Sequence, residues 1–461
     1  MSVSTVTIQF EGRAVPCRAD ATVAAALWEH GVKVLSHSPK YGRPRGLLCA
    51  RGHCMNCLMR VDGVPNVRAC REPVREGLRV ERQDSGAFYG APMQKVLNAT
   101  GHLLPVGFYY KWFTRPTLVS DLFLKGIRPM TGIGRLPDAS TWRDAPAASA
   151  RDLGRVETLV IGAGAAGMAA ALDAGPGAVL VDDHPLAGGQ RRPALDLVAA
   201  RDGGLLEAFH DLRDTRRRLS DLADRVAASP HVRFLGRTRV VGAWQPDQFL
   251  LRDAEGPLQA RAKRVVWAAG ALDALPVFDD ADTPGLLGPR ALMRLLARDG
   301  LAVRGEQAVV WGGGRDLWLS AALLHACGAK VTVALAPDAP VDNSALGTAH
   351  RLGLSLHVRT TPAGVRRADG AVAGLRFDVG DGGTLEIPAT MAVLCGRAKP
   401  AYDVPYQLGC DLVLDPARGG YAPRDVRDGT AEHLGRGNVR LTVTGEACGL
   451  PPEAVHPEVT A

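Results

Sequence analysis

Four cysteines near the N-terminus constrain this chain more than any other feature. Cys49, Cys54, Cys57 and Cys70 are spaced as C-x4-C-x2-C-x12-C, which is the ligand pattern of plant-type [2Fe–2S] proteins. A tight loop can supply three thiolates, and a strand that returns later can supply the fourth. Gly52 allows the backbone amides of this loop to face the cluster sulfurs. Zinc is an alternative ligand, although zinc sites usually carry two CxxC pairs. The spacing therefore favours an iron–sulfur cluster.

The residues around these cysteines predict a small ferredoxin-like β-grasp domain. Val3–Phe10 and Arg13–Cys17 alternate in hydrophobicity as the strands of a hairpin. An alanine-rich helix is predicted over Val23–His30, because a capping threonine precedes it and a glycine follows it. A second hairpin carries the fourth cysteine, and Leu78–Glu81 predicts the closing strand. We assign residues 1–84 to this domain.

Composition indicates an ordered protein of two or three domains. The chain has 461 residues, of which 46% are hydrophobic and 22% charged. The net charge of +7 is spread along the chain without a dense basic tract, so we expect no nucleic-acid binding. Nine cysteines minus the four above leave five scattered ones, which is typical of a reducing compartment. Neither a signal-peptide pattern nor a long apolar run is present, so we expect a cytoplasmic protein without a membrane span.

A β-α-β unit beginning at Glu157 carries a dinucleotide-binding fingerprint. Thr158–Ile161 and Ala178–Val181 predict buried strands, with a glycine-rich turn and a small-residue helix between them. In such units the helix N-terminus faces the pyrophosphate, and an acidic residue after the second strand binds the ribose. The predicted ligand-contacting residues are Gly162, Ala163, Gly164, Ala165, Ala166 and Gly167 in the turn, and Asp182 and Asp183 after the second strand.

Three later segments predict further contacts with the same dinucleotide. A glycine pair, Gly188-Gly189-Gln190, follows the second strand where such proteins pass close to the flavin cofactor. A long polar helix is predicted over Leu205–Ala228. A buried strand then ends at Ala269-Gly270, and Gly445-Glu446 stands where a flavoprotein places an acidic residue against FAD. FAD and NAD both remain open for this site.

A second β-α-β unit begins at Ala308 and departs from the fingerprint. Its turn starts with Gly312, but Leu317 stands where the last glycine is expected. The strand that follows lacks an acidic residue at its end. The sequence therefore favours a Rossmann unit that is kept as a scaffold, and NAD(P)H binding in this half is doubtful.

These features predict an α/β fold with an N-terminal β-grasp [2Fe–2S] domain followed by a two-dinucleotide-binding, Rossmann-like flavoprotein fold. Seven aromatic residues between positions 88 and 113 predict a linker that contacts a partner subunit. The predicted divisions are 1–84 for the cluster, 85–151 for the linker, 152–285 for the first dinucleotide half, 286–400 for the second half, and 401–461 for the return to the first half with a shortened C-terminus.

Several segments resemble the alpha subunit of heterotetrameric sarcosine oxidase, together with hydrogen cyanide synthase, opine oxidase and D-hydroxyproline dehydrogenase. The resemblance is carried by Arg43–Cys49, Pro65–Cys70, Pro105–Phe113 and Val160–Gly167, and it extends to the glycine pair. It implies a subunit that binds a dinucleotide and supports electron traffic, while a flavin-containing beta-type partner oxidises a secondary amine or amino acid. Sarcosine oxidase alpha chains lack the cluster cysteines, and the folate-binding half expected of them is absent here.

The resemblance and the motifs together predict an electron-transfer subunit of a multi-subunit amine or amino-acid dehydrogenase or oxidase. Its cofactors would be FAD, or NAD in its place, and a [2Fe–2S] cluster. The chain offers no nucleophile or histidine–carboxylate constellation, so we expect no catalytic residue of its own. One alternative is a self-sufficient NAD(P)H-dependent FAD/[2Fe–2S] reductase. Another is a non-catalytic assembly subunit that keeps its nucleotide for structure alone.

Overall fold

The computed structural model describes residues 4–38, 43–83, 115–127, 149–245, 247–340, 343–380 and 382–450. The predicted aromatic contact segment at positions 88–113 lies outside these residues. None of the helices in the described ranges is long and apolar enough to span a membrane.

The N-terminal elements form the predicted β-grasp. One five-stranded sheet has the strand order β2-β1-β7-β5-β6, with β1 and β7 parallel. The elements up to residue 127 are β1 (Thr5–Phe10), β2 (Arg13–Arg18), α1 (Val23–Glu29), β3 (Ser36–His37), β4 (Pro44–Arg45), β5 (Leu58–Val61), β6 (Val64–Arg68), β7 (Arg79–Glu81) and α2 (Thr117–Ile127).

Helix α1 fills the concave face of this sheet. Thr22 caps the helix, because its side chain accepts a hydrogen bond from the amide of Ala25. Almost every residue of the helix is buried. Several of these residues are small alanines, which lets the helix lie close to the strands. The strand that leads to the fourth cysteine starts at Val64, directly after the tight turn at Asp62-Gly63, in which both residues have positive φ.

The first dinucleotide half is built on an eight-stranded sheet. Its parallel core has the order β10-β9-β8-β13-β27, in which β27 is Arg440–Thr444. Strand β12 pairs antiparallel with β13, and β11 pairs antiparallel with β12. The elements are β8 (Arg151–Ile161), α3 (Ala165–Asp173), β9 (Ala178–Val181), α4 (Arg191–Arg201), α5 (Gly203–Ala208), α6 (His210–Ala228), β10 (Val232–Leu235), β11 (Arg239–Gln245), β12 (Gln248–Asp253) and β13 (Gly256–Trp267).

The prediction of a single long helix over Leu205–Ala228 is wrong. The segment breaks at Phe209 into α5 and α6, and α4 precedes both. Phe209 adopts φ −99° and ψ 88°, outside the helical region, and its ring lies 6.0 Å from that of Trp318. Burial of this aromatic side chain against the second half competes with helix continuity, and local sequence contains no sign of that contact.

The second half is a five-stranded parallel sheet of order β15-β22-β16-β17-β18, and a three-stranded antiparallel sheet of β19, β20 and β21 packs beside it. The remaining elements are β14 (Ala271–Leu272), β15 (Leu286–Leu287), α7 (Pro289–Ala297), β16 (Gln307–Gly312), α8 (Gly314–Ala326), β17 (Lys330–Leu335), α9 (Asn343–Arg351), β18 (Ser355–His357), β19 (Thr360–Ala368), β20 (Ala371–Val379), β21 (Gly383–Pro388), β22 (Met391–Cys395), β23 (Lys399–Pro400), α10 (Asp403–Gln407), β24 (Leu412–Asp415), β25 (Gly420–Pro423), β26 (Thr430–Leu434) and β27 (Arg440–Thr444).

The β-grasp domain packs against the second half through polar contacts at its helix side. Arg18 donates to the carbonyl oxygens of Asp299 and Gly300, and Lys33 forms an ion pair of 3.1 Å with Glu306. Trp28 of α1 donates its indole N–H to the same glutamate. Buried side chains of both domains also belong to one continuous hydrophobic core. The cluster loop is therefore held in a fixed position relative to the dinucleotide half.

Candidate functional site

The carboxyl ends of four parallel strands meet at one edge of the first sheet. β8, β9, β13 and β27 run in the same direction, and the predicted dinucleotide segments follow each of them directly. In open α/β sheets ligands bind outside this edge. A cavity of about 630 Å³ opens there, which is within the usual range for small-molecule sites.

Two glycines of the fingerprint permit close backbone packing beneath the cavity. Gly162 has φ +102°, and a Cβ atom on it would overlap the carbonyl oxygen of Ala268. A Cβ atom on Gly167 would overlap the carbonyl oxygen of Gly162, so α3 can lie close to β8 only with glycine there. Gly164 differs from both, because a Cβ on it would meet no atom within 4 Å. Gly164 lines the cavity and is the helix N-cap, where a pyrophosphate would approach the free amides.

Substitution of Gly164 by valine should separate ligand binding from folding. The valine side chain would enter the cavity, so we expect the dissociation constant for the dinucleotide to rise at least tenfold, which is about 1.4 kcal/mol. The free energy of unfolding should change by less than about 1 kcal/mol, since no neighbour is displaced. Isothermal titration and thermal unfolding of Gly164→Val check both values. Gly167→Val is the matched contrast, and it should fail to fold.

Asp182 and Asp183 have different surroundings although both line the cavity. The Asp182 carboxylate accepts hydrogen bonds from the amides of Ala163 at 2.6 Å and His184 at 2.7 Å, so it fixes the glycine turn. Burial raises the pKa of Asp182, and the charge of Asp183 adds to that effect. Burial alone would also raise the pKa of Asp183, but the guanidinium groups of Arg294, Arg51 and Arg239 together outweigh it and hold that pKa well below its usual range.

Asp183 is paired with arginines from two other parts of the chain. Arg294 of α7 contacts both of its carboxylate oxygens, at 3.2 and 3.3 Å, and Arg51 of the cluster loop lies 3.6 Å away. Arg294 also donates to the side-chain oxygen of Gln190. Burial and the nearby charge of Arg51 lower the pKa of Arg294 to about 10. The predicted ribose-binding carboxylate is thus anchored in place, and positive charge surrounds it.

Glu446 lies in a buried network of alternating charges at the other end of the cavity. Arg290 lies 2.9 Å from Glu446 and 3.4 Å from each of Asp273 and Asp316. Arg191 lies 2.7 Å from Oε1 of Glu446, outside hydrogen-bond geometry, and 2.9 Å from Asp316. Burial alone would raise the pKa of Glu446, but Arg191 and Arg290 hold it below its usual value. The network joins both dinucleotide halves to the returning C-terminal strand.

The four cysteines of the N-terminal pattern come together as the spacing predicts. Cys57 and Cys70 are buried, whereas Cys49 and Cys54 are partly exposed. The amides of Arg51 and Cys54 each donate to the Cys49 sulfur at 3.4 Å. These bonds require the tight loop in which Ala50 and Gly52 both have positive φ.

The four thiols of this loop shift one another's pKa values in opposite directions. A hydrogen bond with Cys54 lowers the pKa of Cys49 and raises that of Cys54. The thiol of Cys70 likewise lowers the pKa of Cys57, and the pKa of Cys70 itself is raised, chiefly by Cys49 and then by Cys57. The thiols therefore lie within hydrogen-bonding reach of one another, and two of them carry negative charge readily. Amide donors aimed at a ligand sulfur favour this charge.

The cluster loop forms one wall of the dinucleotide cavity. Arg51, Gly52 and His53 line it, and Arg68 of β6 lines it as well. Arg51 belongs to both sites, since its amide contacts Cys49 and its side chain pairs with Asp183. The two sites are therefore direct neighbours in the fold, although the sequence separates them widely.

Most of the predicted ligand-contacting residues line this cavity, and three do not. The lining residues are Gly162, Gly164, Ala165, Ala166, Asp182, Asp183, Gly188, Gly189, Gln190, Ala269, Gly270 and Glu446. Ala163, Gly167 and Gly445 lie beneath the surface: Ala163 is fully buried, Gly167 packs on Gly162, and Gly445 donates its amide to Gly429. Direct contact with the dinucleotide stays a prediction for the lining residues.

Comparison with known proteins identifies relatives of both parts of the chain. Residues 3–85 match the 2Fe-2S iron-sulfur cluster binding domain. Over 315 residues the chain is 31% identical to sarcosine oxidase subunit alpha of Rhizobium meliloti, covering 64% of this chain and 30% of that protein. Over 85 residues it is 35% identical to hydrogen cyanide synthase subunit HcnA of Pseudomonas aeruginosa, covering 18% of this chain and 81% of that subunit. The chain belongs to the family of sarcosine oxidase alpha subunits and hydrogen cyanide synthase.

A solved structure confirms the fold expected for this family. The chain is similar to L-proline dehydrogenase from P. horikoshii, with a TM-score of 0.60 and 18% identity, covering 97% of this chain and 69% of that one. The predicted fold class, a cluster domain followed by a Rossmann-like oxidoreductase fold, is therefore confirmed. The chain spans about 30% of the sarcosine oxidase subunit that it matches. The match to the cluster domain supports a [2Fe–2S] cluster as a cofactor.

Several cavity residues of this family member were not predicted from the sequence. Eight of them are arginines: Arg51, Arg68, Arg191, Arg218, Arg239, Arg290, Arg294 and Arg315. One signal was present for two of them, because Arg290 and Arg294 are the only charged residues in Pro289–Ala297 and stand one helical turn apart. Such charges in a buried helix mark a polar site. The other arginines carry no comparable local signal.

The second Rossmann unit keeps its fold but has a covered turn. A Cβ atom on Gly313 would lie 2.9 Å from Cβ of Ala339 and 3.4 Å from Cδ of Pro340, so the loop after β17 packs directly on the turn. Leu317 is fully buried in the core. Its side chain fills the space into which the helix could move closer if a glycine stood there. This packing supports the prediction that the second half serves as a scaffold.

Proposed function

We propose that this chain is the electron-transfer subunit of a multi-subunit flavoprotein dehydrogenase or oxidase that acts on an amine or amino acid. The donor would be a compound with a CH–NH group, of the sarcosine, proline, hydroxyproline, glycine or opine type. It would be oxidised on a flavin-containing partner subunit, and this chain would relay electrons through FAD and the [2Fe–2S] cluster. We expect the assembled complex in the cytoplasm.

One observation carries this proposal: the cluster loop lines the dinucleotide cavity. Arg51 contacts Asp183 across the boundary, and the loop carbonyls of Ala50 and Arg51 accept hydrogen bonds from Arg298 and Arg239 of the dinucleotide module. A flavin accepts two electrons as hydride and a cluster releases them singly, so adjacent sites for the two cofactors suit an electron relay.

A partner subunit as the place of substrate oxidation is supported by the residues of the cavity. His53 is the one histidine among the described residues that line it, and it lies in the cluster loop. The described lining residues offer arginines and small residues that suit binding of a nucleotide. The relatives are named as subunits, and one of them is a sarcosine oxidase subunit, which supports the amine class.

Cofactor analysis of the purified chain tests the proposal first. The released nucleotide is identified by chromatography, and iron and acid-labile sulfide are assayed. We expect FAD together with two irons and two sulfides per chain, by the stoichiometry of the cluster type. Candidate amines are then added to the complex with its partner, and the reduced cluster is followed by electron paramagnetic resonance. Sarcosine or a proline-type amino acid should produce the signal.

Other outcomes would favour the alternatives. Zinc in place of iron would contradict the relay. Reduction of the cluster by NADH or NADPH, without a partner, would support the self-sufficient reductase. A cluster that no amine reduces in the complete complex would support the assembly subunit.

A further inference from the structure

Two arginines of the dinucleotide module hold the cluster loop at consecutive residues. Arg298, next after α7, donates from Nη2 to the carbonyl oxygen of Ala50 at 3.0 Å. Arg239, the first residue of β11, donates from Nη2 to the carbonyl oxygen of Arg51 at 3.0 Å. Both acceptors lie between the cluster ligands Cys49 and Cys54. The β-grasp domain therefore does not fix its ligand loop alone.

These two arginines differ in how their charge is balanced. Arg298 contacts both carboxylate oxygens of Asp299, at 2.7 and 2.9 Å. Arg239 forms no ion pair with any carboxylate in the described part of the chain, and it is largely buried. Burial lowers the pKa of Arg239, and the neighbouring charges of Arg71 and Arg51 lower it further. Asp183 is the carboxylate that acts on Arg239 here, and it is already paired with Arg294 and Arg51, so positive charge exceeds negative charge beside the cluster loop.

The cluster itself supplies the missing negative charge. A [2Fe–2S] centre with four thiolate ligands has a net charge of about −2 when oxidised and about −3 when reduced. Arg239 stands next to this centre, because it donates to the carbonyl oxygen of Arg51, between the predicted ligands Cys49 and Cys54. Because reduction adds negative charge, an unpaired guanidinium nearby stabilises the reduced form more than the oxidised form. An arginine in this place therefore raises the reduction potential.

Arg239 also lines the dinucleotide cavity. Its neighbours there are Asp183 and Arg51, so it stands beside the part of the cavity predicted to hold the ribose. An anionic nucleotide bound at this end of the cavity would interact with the same guanidinium charge that stabilises the reduced cluster. The two equilibria are therefore linked. If nucleotide binding changes the equilibrium constant for reduction of the cluster by some factor, reduction changes the affinity for the nucleotide by the same factor.

We propose that Arg239 is a positioning residue shared by the two cofactors. It holds the cluster loop through the Arg51 carbonyl, and its unpaired charge raises the reduction potential of the cluster. The same charge makes that potential depend on whether a nucleotide occupies the cavity. This inference goes beyond the proposed function, because it requires the cluster but not the identity of the electron donor.

Redox titration of the full chain tests the charge. The wild type, Arg239→Gln, Arg239→Lys and Arg261→Gln are titrated with dithionite and mediators under electron paramagnetic resonance, with iron and sulfide assayed in each. Arg261 is the control, since it is exposed in the same sheet on β13. In Arg239→Gln we expect the ratio of reduced to oxidised cluster at a fixed potential to fall about tenfold, which is 59 mV for one electron. Arg239→Lys should lose less, and Arg261→Gln nothing.

Two results would overturn the role of the charge. One is a wild-type potential in Arg239→Gln with a full complement of iron. The other is an equal loss in Arg239→Lys and Arg239→Gln, since lysine keeps the positive charge. Failure of Arg239→Gln alone to hold iron would support the role in holding the loop, and Arg239→Lys would then carry the measurement of the potential.

A redox-inactive nucleotide tests the coupling in the wild type. ADP carries the adenosine and pyrophosphate groups but no redox ring, so it is added to nucleotide-free protein and its binding is followed by calorimetry. We expect bound ADP to lower the potential of the cluster, and reduced protein to bind ADP more weakly by the corresponding factor. A potential that stays constant while ADP saturates the site would disprove the coupling, whatever the amine experiments give.

Discussion

Cys57→Ala should leave the chain without its iron–sulfur cluster. Cys57 is buried, as is Cys70, and its carbonyl oxygen accepts a hydrogen bond from the amide of Ala69 at 3.0 Å, so its backbone is fixed close to the fourth cysteine. We expect iron and acid-labile sulfide to fall from about two of each per chain to near zero. The β-grasp domain should also unfold at lower temperature, because ligand binding free energy contributes to folding free energy.

Cys17→Ala is the control for this experiment. Cys17 is a buried cysteine of the same domain, on β2, and it lies outside the ligand pattern. It should keep its full iron content and lose only the modest stability that one buried sulfur provides. Retention of two irons in Cys57→Ala, or loss of iron in Cys17→Ala, would show that the ligand assignment is wrong.

Arg290→Met should cause the largest loss of stability among single substitutions in the cavity. Arg290 is buried within ion-pair distance of Asp273, Asp316 and Glu446. Its removal takes the counter-charge from Asp273 and leaves Asp316 and Glu446 with Arg191 alone. Loss of one partner of a buried pair costs about 3–5 kcal/mol. The change is measured by denaturant unfolding of nucleotide-free protein, so that any loss of ligand binding does not contribute.

Arg366→Met is the matched comparison. Arg366 forms an ion pair of 2.6 Å with Glu386, but both side chains are about half exposed. Exposed pairs contribute about 0–1 kcal/mol, so this variant should lie close to the wild type. An Arg290→Met protein that loses no more stability than Arg366→Met would contradict the structural role of the buried network.

Local patterns predicted most elements of the fold because each depends on neighbouring residues. The strand Ala178–Val181 occurs as predicted, since a short apolar run bounded by turn residues fits a buried parallel strand. The β-grasp hairpin and α1 also follow, because alternation, the Thr22 cap and Gly31 act within a few residues. Domain boundaries 84, 151, 285 and 400 stay predictions.

Predictions failed where a distant contact decided the conformation. Phe209 interrupts a segment that is helical by pattern, because its ring is buried against Trp318 of the other half. Asp183 was predicted to face a ribose, and the structure adds that Arg294 and Arg51 already contact it. Tertiary neighbours of this kind leave no trace in the residues beside Phe209 or Asp183.

The sequence alone was enough to predict the four cluster ligands and to locate the fingerprint turn. Four thiolates at fixed spacing and glycines at fixed spacing constrain a short loop directly, since only a few backbone conformations bring such residues together. The tertiary structure alone decided that the cluster loop lines the nucleotide cavity and that Arg239 reaches the Arg51 carbonyl. That arrangement depends on how two domains dock, and docking is set by complementary shape and charge on surfaces assembled from distant parts of the chain.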